Sequence, residues 1–180
     1  MPYQTSFGIP VGRMSITDQK NYVQRAIDMG VEMFMELKLT TSVDNVSVRL
    51  LRSNADFGLG TVLENEWRFN LAAANNAAAI NWAARRADQI VVIYGCDNYD
   101  IAPCVTLITW RTAAAGGTTK LIVDTQISRG YMDSGMMFCQ PVVYGSQEDV
   151  IADIQADNAS ATQQLAIWGF IVEKRGTVLS

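Results

Sequence analysis

Glu64 and Glu66 stand two residues apart, so on a strand both carboxylates would leave the same face. A carboxylate pair of this kind can hydrolyse a glycosidic bond, one group as acid and the other as nucleophile or base. Asp149 and Asp153 share the solvent side of a later strand by the same arithmetic. Asp97-Asn98-Tyr99-Asp100 has the composition of the start of a calcium loop. It lacks the central glycine and distal glutamate of an EF-hand, and a plain polar loop is the alternative. The tryptophans Trp67, Trp82, Trp110 and Trp168 raise a carbohydrate-binding reading, because sugars stack on exposed aromatic rings. Trp67 and Trp168 fall on apolar strand faces and are expected in the core. Trp82 and Trp110 have polar or small neighbours, and with Asp97 and Asp100 they form the candidate binding set.

What the chain lacks narrows the field further. It contains no histidine, which excludes Ser-His-Asp and Cys-His catalysis, His-ligated zinc or iron and the His-based metal site of cupin enzymes. No GxGxxG, GxxxxGK[ST] or GxSxG run is present. None of Lys20, Lys38, Lys120 and Lys174 has SxxK spacing. No catalytic constellation and no cofactor are therefore expected. The cysteines Cys96, Cys104 and Cys139 are odd in number and form no CxxC, which reads as small buried hydrophobes. Cys96 and Cys104 flank a short loop and could pair in an oxidising setting.

The chain has 14 Lys plus Arg against 18 Asp plus Glu, and no basic block longer than Arg85-Arg86. That argues against a nucleic-acid-binding face. No apolar run approaches the ~20 residues that span a bilayer. Residues 1–5 lack the basic and apolar regions of a signal peptide. Synthesis in the cytoplasm and no membrane partner are the expectations. Charged residues make up 18% of the chain against 49% hydrophobic ones. The usual charged share is about 25%, so some apolar surface is expected to be covered by a partner.

The elements that must position these residues read as mainly β. Residues 1–14 contain Gly8, Pro10 and Gly12 and read as an extended arm, of the kind a neighbouring subunit orders; residues 15–180 read as one β-rich domain. A helix is predicted at about 16–29, capped by Ser15 or Thr17 and stopped by Gly30. Alternation from Val31 to Leu39 predicts a strand, continued through Val46, Val48 and Leu50. A third strand is predicted at 61–71. Nine alanines in the sixteen residues 72–87 predict a short helix by propensity. Gln89 to Tyr94, with the apolar run Ile90 to Ile93 and bounded by Gly95, reads as a buried strand. Further strands are predicted at about 105–111, 119–127, 136–144, 148–156 and 163–174, the last apolar on both faces and therefore central. Gly116-Gly117 suggests a hairpin. Short strands with turns between them, and no helices among them in the C-terminal half, predict a single-domain antiparallel β-sandwich or barrel.

Two segments carry a resemblance. Glu66-Trp67-Arg68-Phe69-Asn70-Leu71 resembles a strand of single jelly-roll modules in which an aromatic-polar-aromatic run precedes a long excursion. Asp149 to Lys174, with the polar turn Asp157-Asn158-Ala159-Ser160, resembles their last two strands. Such modules include the trimeric complement-C1q- and tumour-necrosis-factor-like heads and the jelly-roll proteins of virions. The resemblance implies a self-associating structural protein. With the arm and the low charge, it points to a capsid, decoration or tail subunit of a virus, a bacteriophage in particular. Its partners would be copies of itself and other virion proteins, and its location the virion after synthesis in the host cytoplasm. A non-catalytic carbohydrate-binding module and a histidine-free glycoside hydrolase are the alternatives.

Overall fold

The computed structural model describes residues 5–59, 67–83, 86–126 and 135–176. Two sheets pack face to face. One contains, in order, β1 (Thr5–Phe7), β8 (Thr119–Asp124), β7 (Val105–Arg111), β10 (Val150–Ala156) and β5 (Asn75–Trp82). The other contains β2 (Ile9–Pro10), β9 (Gly135–Tyr144), β6 (Gln89–Asn98), β11 (Ser160–Lys174) and β3 (Val46–Leu50). β4 (Arg68–Leu71) pairs with the start of β11. β1 runs parallel to β8, and the other pairings are antiparallel. The pairs are nested: β4 with β11, β5 with β10, β6 with β9, β7 with β8. The chain is an antiparallel β-sandwich, and β11 lies between β6 and β3 as its two apolar faces require.

The inter-sheet core is filled by large side chains such as Trp110, Phe138, Tyr144, Ile93, Ile108 and Ile154. A second apolar layer lies between the β9-β6-β11 sheet and helix α1 (Ile16–Glu36), where Ala26 and Phe34 meet Ile90, Val92 and Val172. The helix starts where its cap predicts: Ser15 Oγ accepts from the Asp18 amide at 3.1 Å and donates to Asp18 Oδ2 at 2.7 Å. It does not stop at Gly30. Ala26, Gly30 and Phe34, four residues apart, form its buried stripe. A Cβ at Gly30 would stand 2.7 Å from a Val92 methyl and 2.9 Å from a Val172 methyl. Gly30 is therefore a close-approach residue rather than a terminator, and the strand predicted at 31–39 is corrected to helix up to Glu36. Val31, Met33 and Met35 flank Phe34 against the sheet while Glu32 and Glu36 face out, a pattern that alternation cannot separate from a helical flank. The stop comes at Lys38, left-handed at φ 54°, with the Leu39 amide bonded back to Phe34 O at 3.2 Å. Gly30→Ala should cost about 1–3 kcal/mol despite the better helix former, because two stiff valines must move. Urea denaturation monitored by tryptophan fluorescence measures it.

The predicted Ala-rich helix is a strand, β5. Helix propensity is outweighed here by the burial of Ile80 and the pairing with β10. Ala78 sits at φ 47° where the β5–β10 register shifts, and Asp153 Oδ1 accepts its amide at 2.8 Å. β7 matches the predicted 105–111, and the hairpin to β8 closes with the Thr112 amide bonded to Thr118 O and Gly116 at φ 67°. Two segments close the sides of the sandwich. Helix α2 (Ser53–Phe57) lies on the β3/β5 side, where Phe57 packs against Trp67 and Trp82. On the β8/β9 side, residues 5–10 of the expected arm pair with this chain's own sheets, β1 on β8 and β2 on β9.

Candidate functional site

The candidate binding residues do not converge on one surface. Trp110 is fully buried between the sheets, its ring 6.4 Å from that of Phe138, so it offers no platform to a sugar; that assignment is corrected. Its neighbours in sequence are small or polar because β7 alternates, and Trp110 occupies the inward phase. Trp82 is half-buried and meets the Phe57 ring edge-on at 5.3 Å. Trp67 is buried as expected. Trp168 is half-buried and lies 6.3 Å from Tyr94, whose ring stacks on Phe170 at 5.1 Å.

Asp97 and Asn98 belong to β6, and only Tyr99 and Asp100 leave it, so the four do not form a chelating loop. Asp100 braces the β6–β7 connection: Oδ1 accepts from the Ala102 amide at 3.0 Å and Oδ2 from the Gln164 amide at 3.1 Å. Gln163 Oε1 accepts from the Cys104 amide at 2.7 Å. The braced loop presents Tyr99 and a fully exposed Ile101 to solvent. No group of three or more metal-ligating side chains occurs among the described residues. Glu64 and Glu66 lie outside the described residues. Asp153 is held by Arg111 Nη2 at 2.6 Å, and Asp149 precedes β10. The three cysteines are free, so the Cys96–Cys104 pair is not formed. Burial, and then the charge of Asp97, push the Cys96 thiol far above its ordinary value, which keeps it protonated and unreactive. Burial also raises Tyr22, whose hydroxyl donates to Phe138 O at 2.6 Å and ties α1 to β9.

Sequence reasoning did not single out a buried polar cluster around Arg49. Arg49 donates a two-pronged bond to Asp56, Nη1 to Oδ2 at 2.9 Å and Nη2 to Oδ1 at 2.8 Å. Its Nε reaches Glu173 Oε1 at 3.3 Å, Gln89 Nε2 donates to Glu173 Oε2 at 2.8 Å, and the Arg52 amide donates to Asp56 Oδ2 at 2.7 Å. Asp56, Glu173 and Gln89 are buried. Burial opposes charge on Arg49, and Asp56 and Glu173 outweigh it, so its pKa stands above the usual value. Every carboxylate oxygen here holds a donor, so the cluster fixes α2 to β3, β6 and β11 rather than offering an acid or base. It is illegible in the sequence because Gln89 and Glu173 are far from Arg49 and Asp56 in the chain.

An aliphatic surface feature lies beside β3. Val43, Val48 and Leu50 are exposed, Leu50 at 63%, along the margin formed by β3. The alternation of residues 46–50 had marked an apolar face; the exposure follows from the position of β3 at the end of its sheet, beyond β11. Exposed apolar patches of this kind commonly mark interaction surfaces. No family model, no curated protein and no solved structure matches the chain.

Proposed function

We propose that the chain is a self-assembling structural subunit of a virus particle, of the bacteriophage type, built on a jelly roll. The nested pairing carries the reading. Counted from β4, one sheet runs sixth, third, eighth, first (β9, β6, β11, β4) and the other fifth, fourth, seventh, second (β8, β7, β10, β5). This is the order produced when one long hairpin of eight strands is rolled into two sheets. Among the uses of that architecture are viral capsids, lectins and cupins. The absence of histidine removes the cupin metal set. Trp110, buried between the sheets, has no face open to a sugar. The exposed aliphatic margin of β3 and the low charge support assembly.

Copies would bury such margins in interfaces of about 2,000 Å² or more, closed by symmetry. Light scattering on the purified chain tests this. A trimer, pentamer, hexamer or larger shell is expected, and Leu50→Asp should lower the mass without changing the melting temperature. A monomer at every concentration would sink the reading.

A further inference from the structure

The geometry points to residues 5–10 as an exchangeable clasp, a segment that a second copy can seat in the same place; this rests on the assembly reading. β1 pairs with β8 through Thr5–Ile122, Ser6–Val123 and Phe7–Asp124, at the end of one sheet. β2 pairs with β9 through Ile9–Met137 and Pro10–Met136, at the end of the other. Between them Gly8 lies so close to the sheet that a Cβ would stand 2.7 Å from Met136 Sδ and 3.2 Å from Met137 O. The clasp is thus a shaped fit to both sheets at once, made through backbone pairing that is the same whether the segment comes from its own chain or another.

The turn Val11–Arg13 has no buried residue. Gln19 Nε2 holds it, donating to Val11 O and Met14 O, both at 3.2 Å. Ile9 and Ile16, on either side of the turn, are 44% and 71% exposed, apolar surface left uncovered in the closed protomer. Residues 11–15 can span about 17 Å when extended, enough to reach an abutting copy. A short tether gives the chain's own clasp an effective concentration of about millimolar. In dilute solution the chain therefore keeps its own clasp. Exchange becomes competitive where assembly holds copies side by side, and it then locks neighbours together.

The test uses full-length chains in a Cys139→Ser background, which removes the exposed thiol. Thr5→Cys and Ile122→Cys are made as separate proteins, mixed under assembling conditions and mildly oxidised. A disulfide-linked heterodimer, absent from either protein alone, is the expected product. Gln19→Ala should speed its formation about tenfold, the loss of roughly one hydrogen bond's worth of holding. Gly8→Val should abolish it. The double variant carrying both cysteines in one chain should close on itself in dilute solution. If the double variant closes and the mixture gives no heterodimer, the clasp does not exchange. If neither links, the seat itself is refuted. Light scattering on the same samples separates the two ideas: oligomers without the mixed disulfide sink exchange alone, whereas monomers throughout sink assembly as well.

Discussion

Asp56→Ala is expected to remove about 3–5 kcal/mol of stability, the usual cost of breaking a buried ion pair from one side. The substitution takes two bonds from the Arg49 guanidinium and the acceptor from the Arg52 amide, leaving Arg49 with Glu173 at 3.3 Å. A natural domain has about 5–15 kcal/mol in hand, so a large share of the total would be lost. Asp56→Asn keeps the shape and one acceptor oxygen and should lose less. Urea denaturation of both variants decides the matter, and a loss below about 1 kcal/mol for the alanine form would mean the cluster does not fasten α2.

Trp110→Ala should cost a similar amount, about 3–5 kcal/mol, by opening a cavity between the sheets. The indole is fully buried, and its Nε1–H meets no acceptor among the described residues. Trp110→Phe should therefore be much milder, since it loses some volume but also removes an unsatisfied donor. Calorimetry on the pair separates packing from recognition. Near-native stability in the alanine form would contradict the core position. Any loss of glycan binding in that variant would report unfolding, not a missing sugar platform.

The strands of the C-terminal half were legible because their apolar runs are short and punctuated by turns. β7 falls at its predicted residues, and β11 is central as its two apolar faces demand. The errors have one physical origin: residue types chosen for close packing resemble local signals. Gly30 looks like a helix stop, yet its missing side chain makes room for Val92 and Val172. The alanines of β5 look like helix, yet the strand is set by β10. The polar or small sequence neighbours of Trp110 and Trp82 leave their exposure ambiguous, while Phe138, which packs against the buried Trp110, is distant in the chain. The buried cluster around Arg49 could not be read at all, since Asp56 and Glu173 carry no spacing that links them.

The clasp also sets a timetable. Thr5 pairs with Ile122 and Ile9 with Met137, so the first strands of the fold wait for partners more than a hundred positions downstream. At about 5–20 residues per second of synthesis, the segment emerges roughly 6–26 s before its seat exists. Contacts this distant in sequence carry a larger loop-closure cost than the β7–β8 hairpin, so the β8/β9 side of the sandwich is expected to close after that hairpin in refolding.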